Sequence, residues 1–567
     1  MKMNYPIRFI LLATFLGLAT FVKGQLTLDY AFSTGSIESD FFGSFKVDQL
    51  GNYYMLGEYS DTTDMDPGPG EDLVTNGTTH PLVLTKFNTA GEYMHSSVFY
   101  GGSDIGGQIT ELKNGQLLVV VYFADKLTYT FQGNTAVLSE DAGRHACILH
   151  INLNGQILSN YIFEVPASFY FSNLYTLTDG SYIAAGSFQD TFSFGSGGGT
   201  SEIISRGDYD AFIAKLDPSF SPQWVRLFSS ANEEYIEDIY LKEEEAIYFT
   251  LTHSNNLLIT TSEGPKTFPS NGEDNNVYGK VAMNGTVEIA YGFGGELGDQ
   301  VRSIVADADG NMYICGYFEG EVNFNKPTGT PDLHTSWNDT DGFVSKYTPD
   351  GTLAWTRIIR DSQYGGLYTM ILARDNELYL SGSFSDTADL DPGPDSNMIS
   401  SNYRGDIFIM KLTTAGDQKW VYPFPGNDFE GIRNVVLSNQ GKVYVSGYFD
   451  DSLDCDITED TLLFVSKGGS DVFVAAFSEE GVVNQTEDVI PLNTILYPNP
   501  VSAELQITCE KSIDDISCYA MDGMRISVPG IRNGDRARLN LSGLSEGMYF
   551  IKVSAGDQTS FSKIVKQ

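Results

Sequence analysis

The sequence predicts an all-β protein assembled from repeats, and three periodic series carry the prediction. Strand-like runs, most with Gly fifth, recur as "YYMLGEY", "LLVVVYF", "YIAAGSF", "IYFTLTH", "MYICGYF", "LYLSGSF" and "VYVSGYF". Their fifth residues are Gly57, Val121, Gly186, Leu251, Gly316, Gly382 and Gly447, spaced by 64, 65, 65, 65, 66 and 65. A second series of apolar runs is marked by Lys86, His150, Lys215, Lys280, Lys346, Lys411 and Ala476, with the same spacing. Gly51, Gly115, Gly180, Gly310 and Gly441 precede the first series, where a tight hairpin needs positive φ. Three markers sharing one period define an array of seven units.

Each unit reads as strand, short turn, strand, long loop, strand, short turn, strand. In the fifth, "QVRSIVAD" turns at "ADGN" into "MYICGYF", and "DGFVSKY" turns at "TPDG" into "TLAWTRI". That order is a propeller blade, so the expected fold is a seven-bladed β-propeller over residues 25–482. The seventh unit stops after its third strand. The segment "LDYAFSTG" near the N-terminus matches "WVYPFPG" of the sixth unit, Tyr30 against Tyr422 and Phe32 against Phe424. An N-terminal strand thus completes the last blade and removes the open edge. The near-identical segments "SDTTDMDPGPGED" and "SDTADLDPGPDSN" lie 325 residues apart, five periods, and are the same loop in units one and six.

Composition agrees: 58 Gly, 32 Tyr and 36 Phe suit β structure with many turns. With 74 acidic against 34 basic residues the net charge is −40, which speaks against nucleic acid and anionic membranes as partners. Lys2 and Arg8 precede an apolar run, Phe9 to Val22, too short for a membrane span; residues 1–24 read as a signal peptide cleaved before Gln25. No later stretch reads as a transmembrane segment. Five scattered cysteines form neither a disulfide scaffold nor a zinc site, although Cys509 and Cys518 could pair. The six histidines have no metal-ligand spacing.

After a linker at 483–493 the period ends, and residues 494–567 read as a small β-sandwich. Here Tyr497-Pro498-Asn499-Pro500, the Asp522-Gly523 turn, Leu544 with Gly547-Met548-Tyr549, and Lys563-Ile564-Val565-Lys566 resemble the type A C-terminal sorting domain of the type IX secretion system. The resemblance implies a Bacteroidota cell envelope and the type IX machinery as partner. It further implies passage across the outer membrane and removal of the tail, with release or surface attachment. The seven units themselves resemble bacterial propeller repeats, which imply no activity.

Several motifs have the residue types that chemistry needs. Gly543-Leu544-Ser545-Glu546-Gly547 fits the nucleophile-elbow pattern, but that pattern needs a strand turning into a helix. Arg206-Gly207-Asp208 and Arg404-Gly405-Asp406 are out of register with each other; Asp406 aligns with Asp210, Asp341 and Asp471 at a third-strand start. Asp64 with Asp66, and Asp389 with Asp391, could offer oxygens to calcium, yet the full calcium loop is absent and Pro-Gly-Pro explains the segment as a stiff turn. Asp61-Thr62-Thr63, Asp386-Thr387-Ala388 and Asp451-Ser452-Leu453 resemble the O-glycosylation sites of this bacterial group. Trp224, Trp355 and Trp420 are periodic and read as packing residues, whereas Trp337 breaks the register.

No catalytic constellation emerges, and no cofactor is expected. The reading is a secreted or cell-surface binding or scaffold propeller, not an enzyme, with an unidentified extracellular ligand, carbohydrate or protein. A propeller-type glycosidase or lyase and a purely structural envelope protein are the alternatives. The ligand is expected on the face carrying the long second-to-third-strand loops, with Trp337 and Tyr403 as aromatic anchors.

Overall fold

The computed structural model describes residues 26–479 and 494–566, apart from short stretches at 49, 76–79, 103–104, 114, 195–201, 271–273, 326–329, 403–404, 458–460, 499, 510, 521–524, 527, 546 and 556–557. The signal segment 1–24 and the linker 483–493 lie outside the described residues. The chain is all-β, with no helix among the described residues.

Seven antiparallel four-stranded units follow one another, the first six with their four strands in chain order, and the sheets of units one, four and five are each extended by two further strands. Their first strands are Phe41–Val47, Ile105–Lys113, Phe169–Thr176, Glu234–Lys242, Asp299–Ala306, Gly366–Leu372 and Glu430–Leu437. Each of these packs against the first strand of the next sheet, and the seventh packs against the first. The seventh sheet draws its fourth strand from the start of the chain, where Leu26–Thr34 pairs antiparallel with Asp471–Glu479.

The pairing corrects the expected register of that strand. Tyr30 stands opposite Ala476 as Trp420 stands opposite Lys411, so Tyr30 takes the place of Trp420 rather than Tyr422. The offset is two residues. A shift of two leaves every side chain on its own face, so the alternating pattern alone could not fix it.

The turn series is realised in the backbone. Gly51, Gly115, Gly180, Gly310 and Gly441 have φ of 87°, 75°, 82°, 83° and 77°. In units four and six Glu244 and Asn376 fill the left-handed position, at 59° and 63°. The turns between third and fourth strands lie beside these, since a side chain at Gly51, Gly180 or Gly310 would meet Thr89, Pro218 or Pro349.

Adjacent sheets are joined by a repeated contact. The Trp224 ring lies where a side chain on Gly285 would project, and Tyr291 stands in the same relation to Gly351, Arg357 to Gly416, and Tyr30 to Gly91. The last of these spans the seam between the seventh sheet and the first. Trp224, Trp355 and Trp420 all pack against the hydrophobic clusters, and the Trp224 indole N–H donates to Met283 O at 3.0 Å in the following sheet. The lysine markers are also explained, because Lys86, Lys280, Lys346 and Lys411 lie over second-strand rings Tyr54, Tyr248, Tyr313 and Tyr379 at 5.2, 6.0, 5.0 and 4.7 Å.

The long loops are not open loops, which is a second correction. Between the second and third strands of six units sits a short hairpin, standing alone in units one, three and seven, as Thr191–Ser193 with Glu202–Ile204 does, and bonded to a fourth strand in units two, four and six, as Thr387–Asp389 with Met398–Ser400 is. In the fifth unit the two strands themselves are prolonged, Met312–Asn323 against Leu333–Tyr347. Each insertion buries apolar residues, among them Met65, Leu127, Phe192, Leu257, Phe324, Leu390 and Leu453. The insertions reach the outer strand of the preceding sheet. Tyr129 pairs with Phe99, Phe192 lies 5.9 Å from Phe163, Phe324 lies 5.3 Å from Phe293, and Asp389 pairs with Arg360. Apolar burial at an exposed sheet edge is the physical reason they order.

The C-terminal region forms two further four-stranded sheets around one core, which includes Val501, Leu505, Ile507 and Leu539 together with Cys518, Ile551, Val553 and Ile564. All five cysteines are buried and free, so Cys509 and Cys518 do not pair.

Candidate binding face

Every first strand carries a β-bulge near its start. The extra residue is Gly43, Thr110, Ser172, Glu237, Arg302, Tyr368 and Arg433 in sheets one to seven. A bulge re-aims a side chain and bends its strand, and here it recurs at the repeat period. Only in the second sheet is it displaced, to Thr110 rather than the equivalent Gly107. The sequence holds no local signal for these bulges. Lining up the seven first strands would have shown polar residues where an inward apolar alternation was due.

Polar side chains of neighbouring first strands tie the sheets together. The Asn173 amide donates to Asp238 at 3.2 Å, as do the Ser303 hydroxyl at 3.0 Å and the Ile304 N–H at 3.1 Å. The Thr176 N–H donates to Glu111 at 2.7 Å, and Arg302 pairs with Glu237 at 3.5 Å. Burial pushes the Asp238 carboxyl up to about 6 against the pull of these donors, and raises Glu111 and Glu237 as well. Lys46 is half-buried on the first sheet yet feels the charges of Asp238 and Glu111, two residues of other sheets. Burial lowers its ammonium below the ordinary lysine range, and the two carboxylates oppose that shift.

Trp337 is 48% exposed. It stands in an irregularity of the strand Leu333–Tyr347, between the Thr335 and Thr340 pairings, rather than in a loop. Arg360 lies 5.8 Å above its ring and is held by Thr335 O at 2.7 Å and by buried Asp341 at 3.3 Å. Thr340 bridges to Tyr364, and the Asn338 amide donates to Ser362 O, so this segment and the sheet five–six connection are fastened together. Tyr364 and Phe429, in consecutive connections, are 63% and 50% exposed. Sequence reading missed both, because an exposed aromatic in a connection has no periodic signature. Tyr403 lies outside the described residues.

The remaining motifs resolve as local structure. In the Pro-Gly-Pro loops one oxygen of Asp64 accepts the N–H groups of Asp66 and Asp72, and Asp389 does the same for Asp391 and Asn397. No cluster of three or more metal-ligating side chains occurs among the described residues. Asp386 and Asp451 of the glycosylation-like triplets have positive φ, as do Asp125 and Asp190 one period apart, so two of the three triplets begin on a repeated left-handed turn. Thr62 is exposed, whereas Ser452 is buried and bonded by Asn427. Asp210, Asp341, Asp406 and Asp471 are all buried, as their shared register requires. Ser545 precedes a strand, Gly547–Ala555, and not a helix. In the sorting motif the Tyr497-Pro498 bond is cis, Pro500 is exposed, and Tyr549 is buried with its hydroxyl donating to Ser545 O at 3.0 Å. Lys566 is buried, and Gly547 has an extended backbone; Asn499 and Gly523 lie outside the described residues.

Comparison with known proteins assigns the tail. Residues 495–567 match the family described as the secretion system C-terminal sorting domain. The chain therefore carries a type IX sorting domain, the mark of a protein exported to the cell surface or beyond. A weaker similarity, 26% identity over 179 residues, links 30% of the chain to an uncharacterized WD repeat-containing protein, L264, of Acanthamoeba polyphaga mimivirus; the match spans 12% of that protein. Among solved structures, the extracellular domain of BT4673 from B. thetaiotaomicron aligns over 96% of this chain and 100% of its own, at 10% identity and a TM-score of 0.20, too low to carry a structural argument. No helix among the described residues is long and apolar enough to cross a membrane.

Proposed function

We propose that the seven four-stranded sheets are the blades of a seven-bladed β-propeller, and that this propeller is a non-enzymatic binding protein delivered outside the cell by its sorting domain. Three observations support the architecture: the cycle of first-strand contacts, the N-terminal strand in the fourth place of the seventh sheet, and the Tyr30–Gly91 contact repeating at the seam. The binding reading rests on the exposed Trp337, Tyr364 and Phe429, carried by the blade connections and the inserted segments. Trp337 and Tyr364 are pinned by backbone and guanidinium contacts, which lowers the entropy lost when a ligand stacks on them.

Retention of the mature protein on a panel of immobilised polysaccharides and surface proteins tests this. Trp337→Ala, alone and with Tyr364→Ala or Tyr403→Ala, should abolish retention while unfolding stability stays within about 1 kcal/mol, as for exposed sites. Unchanged retention overturns the assignment. A second reading, a carbohydrate-active enzyme, draws on the raised Asp238 beside Lys46. It requires turnover of a retained polysaccharide that disappears in Asp238→Asn.

A further inference from the structure

Around the ring of first strands the bulges leave a lopsided rim. On sheets one to three the bulged residue is Gly43, Thr110 and Ser172; on sheets four to seven it is Glu237, Arg302, Tyr368 and Arg433. One side carries no charged or aromatic side chain at this position, and the other is armed. Two of seven positions are arginine in a chain with 34 basic and 74 acidic residues. Both guanidiniums lie over tyrosine rings, Arg302 at 5.5 Å from Tyr317 and Arg433 at 5.3 Å from Tyr448. Between them Tyr368 shares a hydrogen bond with Ser383 at 3.0 Å. Arg433 is exposed and makes no ion pair among the described residues, while Arg302 is paired with Glu237 through one nitrogen only.

Among the described residues Arg302 Nε has no hydrogen-bond acceptor within reach. The exposed guanidinium of Arg433 and the single-nitrogen pairing of Arg302 leave N–H donors that call for an acceptor-rich group. A carboxylate offers about four acceptor sites and fits the planar arginine fork, whereas a divalent cation would find donors facing it. The flanking tyrosines offer faces and hydroxyls of the kind that seat a sugar ring. A polyanion such as nucleic acid would be repelled by the net charge of −40, so the anionic group must be local to the mouth.

We infer that this axial rim binds an acidic sugar, its carboxylate held by Arg302 and Arg433 and its ring set against Tyr368, an inference that rests on the binding reading above. Titration calorimetry with digalacturonic acid and with neutral digalactose tests it. The acidic disaccharide should bind, and digalactose at least about ten-fold more weakly, the worth of one charge-assisted hydrogen bond. Arg433→Gln and Arg302→Gln should each weaken the acidic ligand by about ten-fold and erase the preference over digalactose, with Arg433→Gln melting as the parent does. Equal binding of both sugars, unchanged by the arginine substitutions, overturns the acidic-sugar inference and leaves the binding reading in place. Binding of neither sugar also overturns the inference, and the binding reading then stands or falls on the Trp337 panel.

Discussion

Phe220 shows how one residue can break a rule that its repeats obey. Gly91, Gly155, Gly285, Gly351 and Gly416 fill the third-to-fourth-strand turn with φ near 80°, yet the third unit places Phe220 there at 59°. A left-handed phenylalanine costs about 1–2 kcal/mol. Its ring is buried and stacks on Tyr182 at 4.3 Å and Tyr161 at 4.6 Å, filling the space between sheets two and three. Truncating a buried phenylalanine costs about 3–5 kcal/mol, so packing wins over strain. Phe220→Gly, although it matches its siblings, should therefore destabilise by about 2 kcal/mol in urea unfolding; a gain in stability would refute this. The glycine turns were legible because one residue type dominates them. Phe220, Glu244 and Asn376 were not, since nothing in a phenylalanine or glutamate announces positive φ.

Single strands were legible wherever alternation ran for six residues or more. Three-residue hairpin strands such as Ser452–Asp454 fell below that length and read as loop. Neighbouring sheets also meet at a feature no strand pattern reveals: buried acids at third-strand starts face acids at the next first-strand start. Asp406 acts on Glu430, Asp210 on Glu234, and Asp40 on Asp471. Burial, reinforced by these partners, pushes Glu430 up to about 8, Glu234 to about 7 and Asp471 to about 6, while Asp428 and Asp450 also crowd Glu430. Unfolded carboxyls titrate at about 4. A folded value raised above that means the stabilising contribution is complete below about pH 4 and is lost as pH climbs from there through the folded values of about 6, 7 and 8. The melting temperature should therefore fall between about pH 4 and pH 8 and level off above. Glu430→Gln, which keeps shape but cannot ionise, should flatten the upper part of that fall; an identical slope would remove Glu430 as a cause.

For the whole molecule, the two ends have opposite weights. The C-terminal sheets own a separate core, so deleting residues 494–567 should leave the melting transition of the remainder in place while stopping secretion into the medium. Normal secretion of the truncated protein would contradict the sorting assignment. Deleting residues 26–34 should instead bare the edge strand Asp471–Glu479, with loss of cooperative unfolding and with aggregation. The repeat count and the missing fourth strand were legible because 65-residue spacing survives sequence drift. The rim of bulges was not, since it exists only once seven first strands are laid side by side. The pairing of Leu26–Thr34 with Asp471–Glu479 has one more consequence. The first described strand is answered only by the third strand of the seventh sheet, so a chain interrupted at any intervening point keeps an unanswered edge at both ends. The closure thereby acts as a self-inspection: only a chain that runs from Leu26 through Glu479 can hide these edges, and a shorter fragment displays its defect to whatever protease or chaperone meets it.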